Sequence, residues 1–360
     1  MRRWLTSPAI AAGLGLVCGC AAELRREGSI PAAGVRTVRI TASGSISIRG
    51  AQTASMGWTA VSKMRQAPLE SRRTSDELSV VFPDGDIAIT LPRELRLCRV
   101  RTKAGAIQVR DLAGALELTS DGGQLSMDGM GGPVTARTVG GAIHIGGIDG
   151  DVRCFTGAGG IHADRIGGRA ELETAGGEIS VENVHGPLVA SSAGGNIEIA
   201  RADSSISART SGGLIRVGKA AGPVIADTGS GAIQIAGTSG AICQVSEGGI
   251  QLKDVAGMVR AISGAGNIMA ELVAGRRLLN SKLSTNAGDV TVLIPSSMAL
   301  TIMAQSIVNG EAGRIITDFP EFRLAVRGGR VETAEGSLNG GGPVLQVVAS
   351  GGTVYLRRRR

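Results

Sequence analysis

The chain has 360 residues, of which 56 are Gly and only seven are aromatic, with 42% apolar residues and a formal net charge of +7. That much apolar mass excludes a disordered chain, and Gly does not recur at every third position, which excludes collagen. So few aromatic side chains also argue against a conventional enzyme core, which relies on their bulk.

Residues 1–19 read as a lipoprotein signal peptide. Arg2 and Arg3 precede a mostly apolar stretch from Trp4 to Val17, which suits a signal core and is too short to cross a bilayer. Val17-Cys18-Gly19-Cys20 resembles the bacterial lipoprotein box, and Cys20, which follows the small Gly19, is the expected lipidation site. The chain would then be held at a membrane by its N-terminal lipid, since no later segment supplies the ~18 unbroken apolar residues of a span. Without the signal, 36 basic residues face 31 acidic ones. Residues 20–34 read as a linker, and 35–104 as an N-terminal β cap with the first coils.

From 105 to 290 the sequence is a regular repeat. Gly-x-aliphatic-x-aliphatic recurs with its first aliphatic residue at Ile107, Leu125, Ile143, Ile161, Ile179, Ile197, Ile215, Ile233, Ile250 and Ile268. Every step is 18 residues except Ile233 to Ile250, which is 17. A second series lies nine residues on, through Leu116, Val134, Val152, Ala170, Leu188, Ile206, Val224, Ile242 and Val259. Alternation with period two marks β-strands with one apolar face. The predicted fold is all-β: a single-chain β-solenoid, β-helix- or β-roll-like, with about 18 residues and two short strands per coil. Stacked strands lie ~4.8 Å apart, so ten coils would extend roughly 50 Å. Leu112, Met130, Ile148, Ile166, Val184 and Val255 would fill one corner.

The Gly pairs before each first strand, such as Gly140-Gly141 and Gly194-Gly195, suggest a corner with positive φ. Five residues before each first aliphatic stands a hydroxyl: Thr102, Ser120, Thr138, Thr156, Thr174, Ser192, Thr210, Thr228, Ser263 and Thr285, with Ser246 one position closer. Facing inward, these would bond turn backbone as a ladder. One copy per coil points to scaffold, not to a catalytic Ser. Residues 291–356 read as an irregular C-terminal β cap, and Arg357 to Arg360 as a solvated basic tail or a weak contact with anionic envelope polymers.

Gly44-Ser45-Ile46-Ser47-Ile48, Gly85-Asp86-Ile87-Ala88-Ile89, the Gly-Gly-x-Ile-x-Val series and Leu283 to Pro295 resemble the bacterial adhesin-like family of β-strand-repeat proteins. The resemblance runs from Val38 to about Phe319. It implies a β-solenoid on the bacterial cell envelope, and it brings no catalytic residues.

The register assigns outer faces. His144 and His162 would stack on adjacent coils as the one His/acid cluster, a weak metal candidate on a polar face. No metal or other cofactor is expected, because calcium-binding β-rolls of the same period need an Asp at the turn that is missing here. Val189, Ile225, Cys243, Val245 and Ile262 would project outward and form a partner surface. Cys98 and Cys154 would face inward, about 14 Å apart at strand spacing, too far for a disulfide. The expected role is that of an envelope-anchored structural or adhesive lipoprotein, facing the periplasm or the cell surface from the outer membrane. It would contact an envelope glycan, a protein ligand or a second copy, bind no nucleic acid, and perform no chemistry. The alternatives are an envelope-stress or assembly partner that docks on the apolar strip, and a polysaccharide-active enzyme.

Overall fold

The computed structural model describes residues 24–62, 69–274, 278–308, 311–328 and 330–359. Its regular secondary structure is strand throughout, and among the described residues there is no helix. The signal peptide and Cys20 lie outside the described residues. The chain forms two compact units, one ending at Gly177 and the other beginning at Glu178.

In the first unit, residues 18 apart pair in parallel. Ile107, Leu125, Ile143 and Ile161 are direct neighbours across successive first-sheet strands. Leu116, Val134, Val152 and Ala170 form the matching file in the second sheet. All eight are buried, as are the corner residues Leu112, Met130, Ile148 and Ile166. Burying a Val, Leu or Ile contributes about 1.5–3 kcal/mol gross, so these files dominate the stability of each coil. The small partner in the facing strand (Ala136, Cys154) keeps the two sheets close, which leaves no room for rings.

The N-terminal end of this unit is not stacked in chain order. The coil Thr37–Ala42 and Ile46–Ala51 lies between the coil of Glu77–Phe82 and Asp86–Pro92 on one side and that of Leu97–Thr102 and Ile107–Arg110 on the other. Antiparallel strands then close the end. Ser55–Ser62 pairs with Asp86–Pro92, Leu24–Pro31 pairs with Ser55–Ser62, and Glu70–Arg73 pairs with Glu77–Phe82. Residues 24–31, expected to be linker, are therefore an edge strand.

The second unit repeats the pattern. Ile179, Ile197, Ile215, Ile233, Ile250, Ile268 and Val290 form one buried file. The final coil, Val344–Ala349 and Thr353–Arg359, is threaded between the coil of Ser281–Ala287 and Val290–Pro295 and the strands Leu300–Val308 and Arg314–Thr317. Arg330–Leu338 and Arg323–Arg327 close the edge antiparallel. Phe319 and Phe322 are buried at this end, with ring centroids 5.4 Å apart. Large side chains fit there because no further coil has to stack on them.

The 17-residue step falls elsewhere than expected. Ile235 still pairs with Val217, 18 residues back, whereas Ala241 pairs with Val224, 17 back. The missing residue is therefore in the corner between Ile235 and Ala241. Ala241, Cys243 and Val245 point inward and are buried, and Ile242 takes an outward place.

The hydroxyl ladder is present. Thr138 donates to the Gly123 carbonyl at 3.0 Å and accepts from the Gly141 N–H at 3.2 Å. Thr156 does the same with the Gly141 carbonyl at 2.7 Å and the Gly159 N–H at 3.2 Å. In the second unit Thr210, Thr228, Ser263 and Thr285 donate to glycine carbonyls in turn. Leaving such a buried backbone group unpaired costs about 1–3 kcal/mol, which explains one hydroxyl per coil. Two members differ from the sequence series. Val245, not Ser246, occupies the place beside Thr228 and Ser263, so one rung is missing. Ser306, buried and donating to the Gly352 carbonyl at 2.8 Å, extends the ladder into the end coils.

The corner glycines answer to a different constraint from the one expected. Gly123, Gly141 and Gly159 do not lie in the left-handed region. A Cβ on Gly141 would fall on the carbonyl of Gly123, and one on Gly159 on the carbonyl of Gly141, because the turns stack backbone on backbone. Positive φ occurs at this corner at Gly85 in the N-terminal coils, at 98°, and again from Gly231 onward, at 138°, 143°, 148° and 139° for Gly231, Gly248, Gly266 and Gly288.

Candidate functional surfaces

The cysteines are interior residues. Cys98, Cys154 and Cys243 are free and buried, and burial raises each thiol to about 12. Cys98 lies in the file of Leu116, Val134 and Val152, and Cys154 three coils along in the neighbouring file. The sequence placed Cys243 outside because it set the short step one corner too late, after Ile242 instead of before Ala241. In the mature chain, residues 20–360, carrying Cys20→Ser, no thiol is expected to react with a maleimide in native buffer, and three are expected to react in denaturant. One fast native thiol would contradict the inward parity of Cys243.

Of the residues expected to project outward, Val189, Ile225 and Ile262 do so and Ile242 joins them, whereas Val245 drops out with Cys243. Elsewhere the second unit also exposes Met258, Met269, Leu279, Met303, Leu324 and Val326. Ile225 is 41% exposed and pairs directly with Ile242, while Ile262 sits diagonally from Ile242, opposite Gln244. Val189 is separated from Ile225 by Ser207. Strand alternation puts every second residue outside. Around this patch the outward neighbours are polar: Arg209, Asp227, Gln244 and Arg260. Three adjacent aliphatic side chains on such a face are the feature that solvation does not explain.

His144 and His162 do stack, with ring centroids 6.3 Å apart, and His162 Nε2 lies 3.1 Å from Asp164 Oδ1. They are not the one His/acid pair. In the second unit His185 Nδ1 is 2.6 Å from Asp203 Oδ2, and Arg201 Nε is 3.2 Å from its other oxygen. The His185 bond, then Arg201, hold the Asp203 carboxyl below the ordinary carboxylate range. A lowered folded-state pKa strengthens the fold above that range and is lost as pH falls through it. Among the described residues no three His, Cys, Asp or Glu side chains gather as a metal set.

Arg357, Arg358 and Arg359 are no solvated tail, for they continue the last strand. Arg357 meets Asp318 at 2.7 Å, Arg358 meets Glu321 at 3.5 Å, and Arg359 reaches Glu271 at 2.8 Å and Asp254 at 2.9 Å. Arg359 also donates to the Leu272 carbonyl at 2.8 Å, so one guanidinium ties three coils together. The Arg357 bond, followed by the Arg358 N–H, holds the Asp318 carboxyl below its usual range.

Two shallow depressions open on the first unit. One is floored by Ser47, Gly57 and Ala88, with Glu27, Arg49, Thr59 and Thr90 around it. The other lies at the corner of Arg36, Glu94, Arg96 and Gly114. Each contains one carboxylate, so neither presents the convergent pair that glycoside hydrolysis uses.

The fold therefore defines a β-solenoid whose interior is structural and whose chemistry is confined to exposed faces. No family model matches the chain, and no characterised protein sequence matches it. Solved structures similar to the chain include two crystal structures. A candidate cell adhesion protein from Clostridium sporogenes covers 94% of this chain and 100% of its own, at 8% identity and a TM-score of 0.22. A candidate adhesin from Bacteroides fragilis covers 59% of this chain and 98% of its own, at 15% identity and a TM-score of 0.35. Likenesses this distant carry no weight for the fold or role of this chain, which stand on its own strand register.

Proposed function

We propose that this chain is a non-catalytic contact protein of the bacterial envelope, anchored by a lipid on Cys20, most simply as an outer-membrane lipoprotein. Its second unit offers the aliphatic patch Ile225, Ile242 and Ile262, with Val189 nearby, to an envelope glycan, a protein ligand or a second copy. The observation that carries this reading is the patch itself, on a face whose other outward neighbours are polar. A rigid solenoid suits the task, because side chains fixed by strand register need little ordering on contact.

Ile225→Lys combined with Ile242→Lys is expected to weaken retention on isolated envelope material, or self-association by sedimentation, at least about tenfold. The midpoint of cooperative melting should fall only slightly, since both side chains are outside the core and two like charges opposite one another on adjacent strands cost less than about 1 kcal/mol. Protease treatment of the envelope material separates the occupants: loss of retention points to a protein ligand, persistence to a glycan. Unaltered retention together with unaltered sedimentation would remove the patch from the account. Acylation is tested separately, by labelled fatty acid incorporation that Cys20→Ser abolishes.

A further inference from the structure

Charge is distributed unevenly along the sequence. Between Cys20 and Ala104 there are 14 basic and 8 acidic residues, whereas residues 105–360 carry 22 basic and 23 acidic. The whole positive excess of the mature chain thus belongs to the N-terminal end coils. The two strands that form the outer edges of this end are Leu24–Pro31 in the first sheet and Glu70–Arg73 in the second. Together they carry Arg25, Arg26, Arg72 and Arg73 against Glu27 and Glu70. Arg25, Arg72 and Arg73 are exposed. Arg73 donates to the Pro31 and Ala33 carbonyls at 2.9 and 2.6 Å, which binds the two edges into one surface while its charge stays in solvent. Exposed Arg36, Arg93 and Arg96 extend the basic character around the adjoining corner, with Glu94 among them. Cys20 precedes Leu24 by four residues, at most ~14 Å of extended chain.

We infer that this end of the first unit is a membrane-facing surface that binds anionic lipid headgroups beside the acyl anchor. The inference rests on the proposed lipidation for its geometry: a lipid on Cys20 must bring the Leu24–Pro31 edge to the bilayer. Each Lys or Arg near an anionic surface strengthens partitioning about fivefold, and a second signal of this kind supplements acyl chains. Charged edges also keep strands from pairing with other chains. That role needs charge of either sign, whereas headgroup binding needs an excess of positive charge beside the anchor. Residues 291–360 also carry 8 basic against 5 acidic residues, but Arg357, Arg358 and Arg359 there are held in ion pairs.

The test uses the full mature chain with Cys20→Ser, so its outcome does not depend on acylation. Sedimentation with vesicles of mixed phosphatidylglycerol and phosphatidylcholine is expected to retain the protein at low salt, and vesicles of phosphatidylcholine alone are not. Combining Arg25→Glu, Arg26→Glu, Arg72→Glu and Arg73→Glu should weaken retention at least about tenfold. Arg25→Glu with Arg72→Glu, which spares the Arg73 hydrogen bonds, should weaken it to a lesser degree. Arg314→Glu with Arg323→Glu, in the second unit, should leave it unchanged. Absence of retention on anionic vesicles, binding to a soluble acidic polysaccharide but not to vesicles, or equal loss in the Arg314/Arg323 variant would each overturn the inference.

Discussion

Gly141→Ala is expected to destabilise the first unit severely, while Gly140→Ala, one residue away in the same turn, is expected to be nearly neutral. A Cβ at Gly141 would land on the Gly123 carbonyl of the preceding coil, which is backbone and cannot rotate aside. At Gly140 the nearest heavy atom is 3.9 Å from the added carbon, an ordinary contact. Overpacking costs about 1–3 kcal/mol where side chains can yield. Here the stacking distance itself must grow, so the upper end of that range or beyond is expected. The Thr138–Gly141 and Thr156–Gly141 hydrogen bonds would be strained as well. Denaturant unfolding of the two variants decides the matter. Equal stability would mean that the corner glycines are chosen for chain flexibility and not for the close approach of stacked turns.

The second large effect concerns the last coil. Deleting residues 344–360 removes buried Leu345, Val347, Val354 and Leu356, each about 1.5–3 kcal/mol of gross stabilisation. It also removes the ladder partner of two neighbours at once, because this coil sits between Ser281–Ala287 and Leu300–Val308. The expected result is that the strands from Leu300 to Leu338, although still in the chain, lose hydrogen-exchange protection and become protease-sensitive. Were residues 344–360 an outer layer, those strands would keep their protection after the deletion, and that outcome would refute the threaded order. Arg359, only 31% exposed and bonded to Glu271, Asp254 and the Leu272 carbonyl, secures the same coil from outside.

Much of this could be read from residue spacing. An 18-residue period with apolar alternation specifies which side chains of Ile143, Val152 and Thr156 point inward, since successive side chains of a strand must alternate. Two further features could have been noticed. His185 and Asp203 are 18 residues apart, the same spacing that identified the His144 and His162 stack. Arg357 to Arg359 alternate directly on from Val354 and Leu356, which marks them as strand. The misplaced members of the apolar patch have one cause. The 17-residue step appears in both strand series, and spacing alone allows the missing residue to fall anywhere in the intervening corners.

The sequence by itself determined the coil, its two strands, the hydroxyl of every regular turn but the one at Val245, and the small facing residues, because these follow from local alternation repeated at a constant interval. The tertiary structure alone decided the stacking order of the end coils, the corner that lost a residue, and hence the interior position of Cys243 and Val245. Coils with the same inward pattern can stack in any order without altering what each buries. Only the pairing of strands distant in the chain, such as Val38 with both Leu78 and Cys98, selects one arrangement.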